Sequence, residues 1–405
     1  MSRKRSAMNE RFVLNAVIEA VPQWYEGTNA PWTRTLVLGT EARTICSHGE
    51  PTPLLEGLLG FVEAHLANWH GQLSDPVSPA QVAAVRRAVT LEWLRLQDAT
   101  VDWLRLLAYM EYLKDRTHEN HPLSRNLLIT PGEGDIDITS LAVEKVMDPL
   151  AGGERVYLHV DPNLHFLGYE EITWDQIDEA SEYTYAVDFL RPFSRKVAEG
   201  AYLAHLTRQR EIVLLGREGL IAAERRNRWY VYDPPTLREG LVEIFGDYNV
   251  GCNLFEIVFD LSYKRHGALL VYDPDHTVVQ NVINRESVLE PEGRPDEVRR
   301  MLSPAAKAIS LGSASRNQVK RRLLMELAGL DGAVIFDAHS ILAFGAMIRT
   351  HPDAGGVVGA RTTAAVSAYM DGGTTVKVSS DGDVCILFNE GGMVRTRERA
   401  KLQFL

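Results

Sequence analysis

Cysteine is scarce: Cys46, Cys252 and Cys385 are the three in 405 residues, and no CxxC pair occurs. That excludes a disulfide framework and a zinc site built on paired cysteines, and it suits a reducing compartment, so a cytoplasmic location is expected. Long apolar runs are also lacking. No stretch of about 18 apolar residues is present, which excludes a spanning helix, and no membrane partner is expected. The basic start MSRKRSAMNERF leads into no unbroken apolar segment, so no secretory leader is expected. Positive charge is in deficit, with 43 Lys and Arg against 54 Asp and Glu and a formal net charge of −11. Broad affinity for nucleic acid needs clustered cations on phosphates, so nucleic acid is an unlikely partner. RRNR at 225–228 and KRR at 320–322 are the best local basic patches, and solvated turn or helix charge is the simpler reading of both.

What is present is an ordinary globular composition, 45% hydrophobic and 24% charged, at a length that suits two or three domains. Residues 1–150 read as a helix-rich N-terminal region. Helical spacing covers Arg11–Val21 and Leu54–Trp69, and TRTLVLGTEARTI reads as strand turning at Gly39. Ser78 is a helix cap, and the helical pattern then runs unbroken from Gln81 to Lys114. Trp93, Leu96, Trp103, Leu107, Met110 and Leu113 recur on one side of that helix as a core or partner face. HENHP at 118–122 reads as an exposed helix end, because no third metal ligand stands at a recognisable spacing from His118 and His121.

Residues 151–245 read as a β-rich, sensor-like module, with strands in RVYLHVD, YTYAVDFL, EIVLLGREGLIAAE and RWYVYDPP. The last two fit an antiparallel pair about the RRNR turn. Joints are expected near 234–235 and at 290–297. The fold class expected is α/β (α+β): a C-terminal mixed sheet flanked by helices, behind a mixed α+β regulatory region.

Residues 246–395 carry the chemistry. A helix over Asn253–His266 leads through Gly267 into the strand ALLVYD at 268–273, and Ser315 caps a helix over RNQVKRRLLMELAGL. DGAVIFD at 331–337 and ILAFGAMI at 341–348 read as a tight hairpin, GARTTAA opens a helix, and TTVKVSS pairs with DVCILFN about Asp381–Gly382. Gly332 lets the backbone approach a ligand closely, and the Asp331 carboxylate can hold a hard cation or ribose hydroxyls. Gly359 and Ala360 precede a helix whose first N–H groups are free, and such an end attracts phosphate. Arg361 adds a planar donor fork, and Thr362 and Thr363 can cap the helix or donate hydroxyls.

This ordered set resembles the diadenylate cyclase domain over roughly residues 248–392, on KRHGALLVY at 264–272, DGAVIFDAHSILAFGAMI at 331–348 and GARTTAA at 359–365. The family condenses two ATP molecules into cyclic di-AMP. The resemblance implies a catalytic Asp331, Gly332 and Ala333 at ribose and metal. It implies nucleotide and phosphate contacts from Gly359, Ala360, Arg361, Thr362, Thr363 and Ser379. It further implies Mg²⁺ or Mn²⁺ at Asp331 and Asp381, ATP as partner, and a homo-oligomer with two sites face to face. The family's Arg-His-Arg reads Arg361, Thr362, Thr363 here, and its Ser-Glu-Glu reads Ser379, Ser380, Asp381. Arg349, His351 or Arg316 is a candidate to replace the missing charge. These departures also leave open a nucleotide sensor without turnover, or a scaffold.

Overall fold

The computed structural model describes residues 2–21, 25–26, 30–72, 77–141, 144–180, 187–289, 293–354, 359–388 and 401–404. Two compact units result: Met1–Thr28, Thr33–Cys46 and Pro51–Thr236 form unit 1, and Asn29–Trp32, Ser47–Glu50 and Leu237–Leu405 form unit 2. No helix among the described residues is long and apolar enough to cross a membrane.

In unit 1, helices α1 (Ser2–Ala20), α2 (Pro53–Gln72), α3 (Pro79–Gln97) and α4 (Trp103–Lys114) accompany an eight-stranded sheet. Its strands are β1 (Arg125–Ile129), β2 (Ile136–Asp137), β3 (Val156–Val160), β4 (His165–Glu171), β5 (Tyr202–Leu206), β6 (Ile212–Gly216), β7 (Gly219–Arg225) and β8 (Arg228–Val231). Their order is β8-β7-β6-β5-β1-β3-β4-β2. The boundary expected at residue 150 is therefore corrected. β1 pairs with β3 in parallel and with β5 antiparallel, so one sheet runs through both expected domains. Ser78 forms the expected cap, a reciprocal box with Gln81. Trp93, Trp103, Leu107, Met110 and Leu113 sit in the core, and Trp93 Nε1 donates to the Ile221 carbonyl at 2.8 Å, tying α3 to β7.

Three further expectations change. The helix from Gln81 to Lys114 breaks, because the Asp98 carboxylate accepts from the Thr100 N–H (2.8 Å) and hydroxyl (2.7 Å) while Asp102 caps α4 through the Arg105 N–H (3.0 Å). Such side chains offer the backbone an alternative to the helix ladder. HENHP is no helix end. His118 pairs with His121 across a two-residue turn, with Glu119 and Asn120 at φ of 50° and 66°. For YTYAVDFL, residues 183–186 lie outside the described residues and Asp188–Phe193 is a 3₁₀ helix. The antiparallel pair about RRNR is present as β7 and β8, with Arg226 and Asn227 at positive φ.

Unit 2 holds a six-stranded sheet of β9 (Ala268–Tyr272), β10 (Ala333–Phe336), β11 (Ile341–Ala346), β12 (Thr374–Val378), β13 (Val384–Leu387) and β14 (Lys401–Phe404). The order is β11-β10-β9-β12-β13-β14, with β9 and β10 parallel and the other pairs antiparallel. Helices α5 (Tyr248–Lys264), α6 (Arg321–Ala328) and α7 (Ala360–Met370) position the ends of these strands. All five residues of the central β9 are buried, as a strand covered on both faces requires. Leu269, Val271, Ile335, Ala365 and Ala368 share one core cluster, which seats α7 beside β9 and β10. The helix expected from Ser315 onward is interrupted at Lys320 (φ 46°), and the expected joint at 290–297 falls partly outside the described residues. This mixed sheet with flanking helices is the fold class expected.

Candidate functional site

A cavity of about 870 Å³ opens in unit 2 where the starts of β10 and α7 meet the ends of β11 and β12. Asp331, Gly332 and Ala333 line it, as do Gly359, Ala360, Arg361, Thr362 and Thr363. Two motifs separated by 26 residues of chain, counting from Ala333 to Gly359 as 359 − 333, are thus brought together.

The Asp-Gly-Ala turn has a steric cause. Gly332 sits at φ 105°, and a Cβ there would stand 2.6 Å from the Gly345 carbonyl carbon and 2.8 Å from the Ala346 nitrogen. The turn passes directly over β11, a path open only to glycine. It leaves Asp331 fully exposed at the cavity rim, with Oδ1 3.9 Å from Nη2 of Arg361.

Arg361 is seated by a second glycine. A Cβ on Gly267, just before β9, would lie 2.1 Å from Arg361 Nη1, so the guanidinium occupies the space that residue 267 leaves free. Gly359 at the N-cap of α7 supplies no capping side chain, and no side-chain cap bond forms there. The threonine hydroxyls do separate jobs. Thr363 donates back to the Gly359 carbonyl at 3.2 Å, while Thr362 Oγ1 accepts from Nζ of Lys377 at 3.0 Å.

Other expected residues are placed differently. Ser379 lines the cavity, but its hydroxyl closes the β12–β13 turn, donating to the Asp381 carboxylate and accepting from the Asp383 N–H at 3.0 Å. Asp381 belongs to that turn and does not line the cavity, so the expected metal pair of Asp331 and Asp381 is not assembled among the described residues. Asp331 is the one carboxylate among the lining residues, and no group of three or more His, Cys, Asp or Glu among the described residues is placed to hold a metal ion. Neither Arg349 nor His351 lines the cavity. His351 Nδ1 accepts from the Asp353 N–H at 3.2 Å, and the side chain of Arg316 lies outside the described residues. KRR at 320–322 is no open patch, because Arg321 is held between Glu256 and Asp260.

Sequence reading missed Lys377 and the role of Gly267. Lys377 had a signal, a single cation inside the apolar run TTVKVSS. Gly267 had none, because its contact with Arg361 spans 94 residues of chain, 361 − 267.

No family model matches the chain, and no curated protein matches it. Among solved structures, it is similar to a double mutant of DacA from Staphylococcus aureus, at 20% identity over 36% of this chain and 83% of that one, with a TM-score of 0.21. It is also similar to a hypothetical membrane spanning protein from Bacillus cereus, at 15% identity over 37% of this chain and 68% of that one, with a TM-score of 0.23. At these scores neither match establishes a common fold, and the chemistry of the cavity is read from its own residues.

Proposed function

We propose that the cavity of unit 2 binds ATP and that the chain is a diadenylate cyclase, cytoplasmic and regulated by unit 1. The observation carrying this reading is the convergence of Asp331–Ala333 and Gly359–Thr363 on one cavity, with Arg361 3.9 Å from Asp331. Its volume, about 870 Å³, is within the usual range for a small-molecule site.

In this reading Asp331 faces the ribose, and the Arg361 fork and the uncapped first turn of α7 take the phosphates. The contact between Arg361 and Asp331 is long and open to water, so phosphate oxygens can compete for the guanidinium. The reaction is attack of each ribose 3′-hydroxyl oxygen on the α-phosphorus of the other nucleotide. Two P–O bonds form, two pyrophosphates leave, and each hydroxyl gives up its proton. Such transfer depends on positioning and charge neutralisation rather than on a protein nucleophile. One nucleotide per chain makes a symmetric pair of chains the reacting unit. With a single lining carboxylate, Asp331 is the residue that would hold Mg²⁺ or Mn²⁺, and such an ion would serve to neutralise phosphate charge.

Incubation of the full chain with ATP and Mn²⁺, followed by chromatography, is expected to yield cyclic di-AMP, and Asp331→Ala to yield none. A dimer that forms no product with any divalent metal overturns the cyclase. A second reading, a nucleotide sensor without turnover, is favoured by threonine at 362 and 363 and by the single lining carboxylate. It predicts ATP binding that needs Arg361, with no product.

A further inference from the structure

The charge of the cavity is opposite to that of the chain. The full sequence carries a net charge of −11, whereas the lining carries Arg361 and Lys377 against Asp331 alone, two cations less one anion, or +1. Asp331 lies near Arg361, which leaves Lys377 as the unbalanced charge.

Its position makes this unusual. Lys377 stands on β12, an interior strand between β9 and β13, opposite Leu269 and Cys385 and flanked by buried Val376 and Val378. β-Branched or aromatic side chains suit such a place best, and lysine is disfavoured there. The half-buried ammonium has three N–H donors. One goes to the Thr362 hydroxyl at 3.0 Å, and no carboxylate among the described residues pairs with it. A partly desolvated cation with only a neutral acceptor is costly unless an anion completes its shell. Thr362 is the third residue of α7, next to Arg361, so the bond directs the lysine toward the same uncapped first turn.

We propose that Lys377 contacts the substrate and holds its phosphate chain. The sheet then supplies the second cation of the anion site, which the helix, with threonine at 362 and 363, does not. The proposal rests on the nucleotide reading for the identity of the ligand. It adds that the site selects polyphosphates: two separate cations reward a di- or triphosphate over a nucleoside.

Calorimetry on the full chain with ATP, adenosine and inorganic tripolyphosphate tests this in wild type, Lys377→Met and Lys377→Arg. Loss of one charge-assisted contact is expected to weaken ATP and tripolyphosphate about tenfold to a hundredfold in Lys377→Met. Adenosine affinity should be unchanged, and Lys377→Arg should recover most of the loss. If wild type binds tripolyphosphate in a Lys377-dependent way but neither ATP nor adenosine, the anion site stands and the nucleotide reading falls. If Lys377→Met binds ATP as wild type does, the proposal falls and the nucleotide reading stands. Equal weakening of ATP and adenosine would make Lys377 a structural support of Thr362 and overturn the proposal. Absence of all three ligands from wild type overturns both.

Discussion

Gly267 and Arg361 act as one device at the scale of single residues. The guanidinium lies where any side chain on residue 267 would begin, 2.1 Å from the position of its Cβ. Alanine there must push the arginine off its seat, because the flexible end of a side chain yields before a strand does. On the proposed nucleotide reading, Gly267→Ala is therefore expected to reduce ATP affinity about tenfold to a hundredfold, the size of one charge-assisted contact. Arg361→Ala should give a loss of the same order. Since both changes remove the same contact, the double variant should be no worse than the worse single one, and additive losses in calorimetry would show that the glycine acts elsewhere.

Between elements, α5 and α6, both ahead of the Asp-Gly-Ala turn in the chain, are pinned by one arginine. Arg321, at the start of α6, bonds the carboxylates of Asp260 and Glu256 on α5, and its Nη2 donates to the Glu256 carbonyl at 3.1 Å. The Asp260 side chain is 1% exposed, so removing Arg321 takes a cation from beside a buried carboxylate. Arg321→Met is expected to cost about 3–5 kcal/mol, and adding Asp260→Asn should recover part of it. Hydrogen exchange of the α5 and α6 amides would read this as lost protection, and unchanged protection would mean that packing alone holds the pair. These helices show what a sequence discloses. Asn253–His266 and the hairpin at 331–348 were legible because 3.6-residue spacing and short apolar runs are local signals. So was the Ser78 cap. The pairing of Arg125–Ile129 with Val156–Val160 and Tyr202–Leu206 was not, because strand order depends on contacts made after the chain has turned back. At the site, the Asp-Gly-Ala and Gly-Ala-Arg motifs announced themselves. Lys377 joined them only through the register that sets β12 beside β9, and Ser379 and Asp381 were spent on their own turn.

Across the whole molecule, each unit encloses a histidine that the fold keeps neutral. His205 in unit 1 is pushed down to about 3 by burial, and His48 in unit 2 to about 4 by the same cause. The hydrogen bonds around His205 fix its tautomer. Asn126 spends its amide N–H groups on the Gly153 and Val156 carbonyls, at 2.6 and 2.8 Å, so its oxygen accepts from His205 Nδ1 at 2.6 Å. An unfolded histidine binds a proton near pH 6.5 and the folded one does not, so the unfolded state gains protons as the pH falls. The stability contributed by a neutral His205 is thus complete above about 6.5 and declines from there toward 3. Between pH 6.5 and 5 the loss is about 2 kcal/mol for this residue. Trp93, Trp103 and Trp229 are buried in unit 1, so urea unfolding followed by tryptophan fluorescence reports on it. His205→Asn keeps a donor for Asn126 and cannot titrate. Its unfolding free energy should fall less steeply over this range, by about one proton's worth of slope, and parallel slopes in the two proteins would show that His205 takes up its proton inside the fold.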